Sequence, residues 1–229
     1  MKKLSRVILP SSLTSIGNGA FYYTMIDSIT LPDNLTIIGE EAFSSCEYLK
    51  SIDIPDNVTT IRKRAFAYCS SLVSVNFTAN SKLQRIESEM SADGIGNTST
   101  DGVFRNCTSL RRFELPASVT VIGAGTFNGC TALEELIIPS NTALTQLTGY
   151  MNRDEYVIGA KIQTSGIVEG CSSLKILYIP AKIKTLDKYV FAECGIETVI
   201  FEEGSQCSKI GDAVFAKCYN LKNIDICVR

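Results

Sequence analysis

Cysteine stands at positions 46, 69, 107, 130, 171, 194 and 218, at separations of 23, 38, 23, 41, 23 and 24 residues. A second column runs three residues ahead of it: Phe21, Phe43, Phe66, Phe104, Phe127, Val168, Phe191 and Phe215. Recurrence at a fixed period of this length marks a repeat architecture. With the third copy as reference, one unit reads Leu49-x-x-Ile52-x-Ile54-Pro55, then Val58-Thr59-x-Ile61, then Ala65-Phe66-x-x-Cys69. The first segment recurs as Leu4/Val7/Leu9, Ile26/Ile29/Leu31, Leu72/Val75/Phe77, Leu110/Phe113/Leu115, Leu133/Leu136/Ile138, Leu174/Leu177/Ile179 and Ile196/Val199/Phe201, with a final half unit Leu221/Ile224/Ile226. Eight full repeats and a ninth strand thus fill residues 1–229 as a single solenoid.

The chemistry of one unit predicts its shape. Ile52 and Ile54 alternate with Ser51 and Asp53, the period of a half-buried strand. Pro55 ends the strand because it lacks the N–H a ladder needs, and Asp56-Asn57 supplies a turn. Gly17, Gly39, Gly123 and Gly211 follow the Ile61-type position, which suggests a bend there. The returning Ala-Phe-x-x-Cys segment carries Val103, Thr126, Val190 and Val214, so little regular helix is expected. One unit cannot cover its own apolar face; stacked units cover one another and lay a parallel sheet along one side. At about 4.8 Å per strand the stack spans roughly 40 Å.

The motif resembles the leucine-rich repeats of the BspA-like, Treponema pallidum type. A strand ending in Ile-Pro, then Val-Thr-x-Ile-Gly, then Ala-Phe-x-x-Cys, stands nearly intact from Ile54-Pro55 to Cys69 and from Leu115-Pro116 to Cys130. The resemblance covers essentially the whole chain. It implies an α/β-type leucine-rich-repeat solenoid, a strand-rich right-handed superhelix. It also implies surface or secreted proteins of gut and oral bacteria and some protists, associated with adhesion and host contact. A fold alone assigns no activity.

Composition narrows the function. The chain is 45% hydrophobic and 20% charged with a net charge of -2, a globular balance with no basic block for nucleic acid. No apolar run is long enough to span a bilayer. Histidine and tryptophan are absent, so imidazole chemistry is excluded and no cofactor or metal is expected.

Two units are interrupted. Glu87 to Gly102 is extra chain in the fourth, and Thr148 to Gly166 in the sixth. Both enter at the same point, so both should emerge from one edge of the solenoid. The first, polar from Ser88 to Gly94, reads as a loop; Tyr156 to Ile162 in the second suggests a small hairpin.

The cysteine column reads as a ladder of buried free thiols. The nine cysteines are an odd number in a chain too large to need staples, and no Cys-x-x-Cys pair offers a metal site. Neighbours in the column nonetheless stand within disulfide reach. Cys207 and Cys227, outside the column, could face each other across adjacent coils, but a bridge between them is not favoured. The phenylalanine column reads as a core spine, and Phe66→Ala is expected to cost about 3–5 kcal/mol. Sequons at Asn34, Asn57, Asn76, Asn97 and Asn106 would matter only in a eukaryotic secreted protein.

With Ile52 and Ile54 inward, the intervening residues face out. Repeats six to eight then place Ile137, Ile176, Tyr178 and Ile200 on adjacent strands, beside Arg112, Glu114 and Glu135. An apolar centre with a charged border fits a protein-binding surface. The expected function is a non-catalytic protein-interaction module, a cell-surface or secreted adhesion or host-interaction protein whose partner is a host matrix or surface protein. Glycan binding and an intracellular scaffold are the alternatives. Glu114, Glu134 and Glu135 could in principle serve a hydrolase, but they sit on an open sheet rather than in a cleft. Met1-Lys2-Lys3 has no apolar core after it, so the chain reads as an excised segment or as a mature chain with an added start methionine. A monomer or weak end-to-end association is expected, since terminal strands expose edges.

Overall fold

The computed structural model describes residues 6–88, 102–152 and 163–226. The chain winds into a parallel-strand solenoid of about eight coils, and the described residues contain no helix. The strands expected from the alternating pattern are β1 (Arg6–Val7), β3 (Ser28–Ile29), β5 (Ser51–Asp53), β7 (Ser74–Asn76), β9 (Arg112–Glu114), β11 (Glu135–Ile137), β15 (Ile176–Ile179), β17 (Thr198–Phe201) and β19 (Asn223–Ile226). Ile52 and Ile54 are buried and Ser51 and Asp53 exposed, as the period of two requires.

A second parallel sheet runs along another side of the coil. It comprises β2 (Ser15–Ile16), β4 (Ile37–Ile38), β6 (Thr60–Ile61), β8 (Arg85–Ile86), β10 (Val121–Ile122), β12 (Gln146–Leu147), β16 (Thr185–Leu186) and β18 (Lys209–Ile210). The second residue of each points inward and is buried from Ile16 through Leu186. Gly39, Gly123 and Gly211, which follow three of these strands, serve close approach rather than a bend. A Cβ on Gly39 would lie 2.7 Å from the Gly17 carbonyl carbon and from the Ile16 carbonyl oxygen.

The first sheet runs as four ladders: β1–β3, β5–β7, β9–β11 and β15–β17–β19. Two of its interruptions follow β7 and β11, strands of the two coils that carry insertions. Those coils also have longer turns between the sheets: eleven residues separate Leu72 from Leu83 and Leu133 from Leu144, against nine from Leu49 to Val58. The gap between β3 and β5 has no such counterpart. The base of the second insertion is a hairpin in which β13 (Tyr150–Asn152) pairs antiparallel with β14 (Gln163–Ser165). The expected hairpin at 156–162, the loop from 89 to 94 and the facing of Cys227 toward Cys207 lie outside the described residues.

The return segment is a run of turns that forms its own ladder. Glu41 and Ser45, Arg64 and Tyr68, Tyr189 and Glu193, and Ala213 and Lys217 flank their column residues with φ between 53° and 62°. Such a backbone costs an L-residue roughly 1–2 kcal/mol. The cost is offset because alternate N–H groups then aim at the next coil. Glu41, Phe43 and Ser45 donate to the carbonyls of Lys63, Ala65 and Ala67 at 3.1, 2.7 and 2.8 Å. The intervening Ser44 and Cys46 close turns onto Glu41 and Phe43 at 3.0 and 3.1 Å. The backbone is satisfied without a helix.

One hydrophobic core extends from Ile16 to Cys218. Within it the phenylalanine rings stack nearly parallel: Phe21–Phe43 and Phe43–Phe66 at 5.2 Å, Phe66–Phe104 at 5.5 Å and Phe104–Phe127 at 5.7 Å. Val168 interrupts the stack, which resumes with Phe191–Phe215 at 5.9 Å. The column cysteines are free and buried. Cys46, Cys69, Cys107, Cys130 and Cys171 each donate to the column phenylalanine carbonyl one coil earlier, at 3.1–3.2 Å. Cysteine suits this place because it is small, apolar and a weak donor. Burial pushes the Cys130 thiol up to about 12 and Cys69, Cys107 and Cys171 well above their ordinary value.

Candidate functional site

Past Ile8, which is exposed directly after β1, the outward face of the first sheet is polar over its early strands. Ser28, Ser51, Asp53 and Asn76 are exposed, and Asn76 Nδ2 donates to Asp53 Oδ1 at 2.7 Å. On β9 and β11 charged residues take over. Glu135 pairs in register with Arg112, and Ile137 with Glu114. The Arg112 guanidinium spans two carboxylates, with Nη2 to Glu114 Oε2 at 2.7 Å and Nε to Glu135 Oε2 at 2.9 Å. Arg111 Nη1 reaches Glu134 Oε1 at 3.3 Å. All of these groups are exposed, so the pairs contribute little stability, about 0–1 kcal/mol each. Each acid is committed to a guanidinium on an open sheet, which is not the arrangement of a general acid facing a base across a cleft.

The apolar residues follow on β15 and β17. Ile176 is 46% exposed and Tyr178 58%. Ile200 is half-buried and lies in register between Tyr178 and Asp225. Ile137 is half-buried at the edge of β11. Where the ladder is interrupted between β11 and β15, Glu135, Ile137, Lys175, Ile176 and Tyr178 line a groove of about 550 Å³. Tyr178 is also a wall of a neighbouring cleft of about 510 Å³, bordered by Ser140, Pro180 and Glu202. The interruption between β7 and β9 carries another groove, of about 730 Å³, lined by Asn76, Arg112 and Glu114. Arg112 with Glu114 and Glu135 thus forms a charged ridge between two grooves.

The structure therefore brings Ile137, Ile176 and Tyr178 around one depression, sets Ile200 beside Tyr178, and leaves Arg112, Glu114 and Glu135 as its border. The grooves themselves were not foreseen from sequence. Nor were Tyr22, Tyr23, Tyr48 and Tyr68, all exposed in the turn segments of the first three coils. Their signal was their place next to the phenylalanine and cysteine columns. Among the described residues no helix is long and apolar enough to cross a membrane. No group of three or more His, Cys, Asp or Glu among them is placed to hold a metal ion.

Comparison with known proteins agrees with the coil geometry. The family profile described as BspA type leucine rich repeat region matches residues 1–93, 97–151 and 161–228, in six copies. A leucine rich cell surface protein from Faecalibacterium prausnitzii is 27% identical with a TM-score of 0.50, over 99% of this chain and 60% of that one. The T. pallidum leucine rich repeat protein is 28% identical with a TM-score of 0.59, over 95% of this chain and 78% of that one. A leucine-rich repeat protein from Bacteroides ovatus shares the fold at 21% identity and a TM-score of 0.64, over 99% of this chain and 65% of that one. This chain spans 60% of the length of the Faecalibacterium protein. No curated protein matches it by sequence. With the family profile matched along nearly its whole length, the chain belongs to the BspA-type leucine-rich repeat family.

Proposed function

We propose that this chain is a non-catalytic protein-interaction module, displayed at a cell surface, that serves adhesion or host contact by holding a protein partner on its outward strand face. The observation that carries the reading is the groove between β11 and β15. Ile137, Ile176 and Tyr178 meet there, with Ile200 beside them and Arg112, Glu114 and Glu135 at the border. Tyr178 combines a large apolar ring with a polar tip, the kind of side chain that anchors interfaces. The surface setting is supported by the relative at 27% identity, which is described as a cell surface protein.

The test is a binding screen of the purified chain against extracellular matrix proteins, run beside a glycan array. Any protein ligand is then measured against the double variant Tyr178→Ala, Ile176→Ser. Both side chains are exposed, so the unfolding midpoint should stay near that of the unsubstituted chain while binding is lost. Unchanged affinity in the double variant would remove this site, and binding to glycans alone would replace the protein-partner reading.

A further inference from the structure

Six of the seven column cysteines each bond to a phenylalanine carbonyl of the coil before. Cys194 does not. Its thiol bonds to the carbonyl oxygen of Phe191, in its own coil, at 3.0 Å. Cys218, one coil later, bonds to that same oxygen at 2.9 Å. One acceptor holds two thiols, and their sulfur atoms lie 3.3 Å apart. The local chain differs here as well. Cys194-Gly195-Ile196 is one residue shorter than Cys171-Ser172-Ser173-Leu174. Gly195 packs so closely on the coil below that a Cβ would lie 2.3 Å from the Ser172 carbonyl oxygen.

Two further features favour chemistry between these sulfurs. The coils are fixed side by side by Phe191 N–H to Val214 O at 3.0 Å and Glu193 N–H to Ala216 O at 2.8 Å. Rungs about 4.8 Å apart fall within the Cα spacing that a disulfide accepts. The pair is also less enclosed than the rest of the column: Cys194 is 7% and Cys218 8% exposed, whereas Cys46 through Cys171 are 0%.

We propose that Cys194 and Cys218 are an oxidisable pair that closes into a disulfide between adjacent coils by exchange with a low-molecular-weight disulfide. The Cys218 thiolate attacks one sulfur of that disulfide, forming a mixed disulfide and expelling one small thiolate, which takes up a proton. Cys194 then gives up its proton and attacks the Cys218 sulfur, forming the inter-coil bond and releasing the second small thiol. Two protein thiols are oxidised and one small disulfide is reduced to two thiols. Once Cys218 has lost its proton, the Cys194 thiol, 3.3 Å away, can turn from the Phe191 carbonyl oxygen to donate to the Cys218 sulfur, and a donor at that distance favours the thiolate. The contact is symmetric, so the two thiols can exchange these roles.

The test uses the full chain with Cys207→Ser and Cys227→Ser, which removes both cysteines outside the column. After incubation with oxidised glutathione, mass spectrometry should show loss of two hydrogens without a retained glutathione, and peptide mapping should place the bond between Cys194 and Cys218. Dithiothreitol should reverse it, and the oxidised chain should unfold at a higher denaturant concentration. Adding Cys194→Ala should leave glutathione trapped on Cys218, since the resolving thiol is gone. The proposal is overturned if the mapped peptides show both cysteines still free after oxidation, or if the bond joins Cys171 to Cys194. The unsubstituted column decides this even if the alanine variant fails to fold.

Discussion

The Cys69 thiol donates to the carbonyl oxygen of Phe43 at 3.1 Å, joining the two columns across successive coils. That oxygen also accepts the Cys46 N–H at 3.1 Å, so removing the thiol does not leave it orphaned. Cys69→Ala should therefore cost only about 1–2 kcal/mol, a weak bond and a small void. Cys69→Leu should cost more, because it forces two further heavy atoms into a wholly buried site beside stacked rings. Urea unfolding of both variants checks the order. A larger loss for alanine than for leucine would mean that the hydrogen bond, rather than volume, selects cysteine.

Gly39 and Gly17 occupy the same place in adjacent coils but face different surroundings. A Cβ at Gly39 meets backbone of the previous coil at 2.7 Å, while one at Gly17 meets nothing within 4 Å. Gly39→Ala should destabilise the chain by roughly 1–3 kcal/mol as two coils are pushed apart. Gly17→Ala should be near neutral. Equal effects in thermal or urea unfolding would show that the glycines serve a local bend after all.

The contrast shows what the sequence carried. Phe66, Cys69, Ile52 and Ile54 were legible because each belongs to a column that recurs coil after coil, and a stacked core follows from that recurrence. The second sheet was not legible. Thr60–Ile61 is only two residues long and offers no alternation to read. The outward register of Ile137, Ile176, Tyr178 and Ile200 could be derived from alternation alone. The groove between them depends on strand pairing lost between β11 and β15, which no single residue announces. The departure of Cys194 was present in the spacing, since Ile196 follows it by two residues where Leu174 follows Cys171 by three. Its consequence for sulfur geometry needed the coil below.

Glu169 places a carboxylate where water is scarce. Its Oε2 is buried without a hydrogen-bond partner. Burial, and then the nearby Glu193, raise its pKa above the ordinary carboxylate value, against smaller opposing contributions that include Arg105. Between the unfolded and folded pKa values the native state holds a proton that the unfolded state has released. Stability therefore falls as pH rises through that window and levels off above it. Glu169→Gln should stabilise the chain at neutral pH and have little effect below the unfolded value near 4.5. Unfolding free energies measured across that range check it. A variant that is less stable at neutral pH would show the charge to be favourably held.

The strand face and its groove exist only if the coils stack with a continuous, closed interior, and the thiols report that interior directly. Cys69, Cys107, Cys130 and Cys171 are fully buried, while Cys207 is half-buried and serves as an internal reference. Alkylation at neutral pH, mapped peptide by peptide in native buffer and again in urea, measures each of them. The stacked interior requires Cys207 to react in native buffer while the other four stay unmodified until the chain unfolds. Alkylation of those four at the rate of Cys207 in native buffer would contradict it.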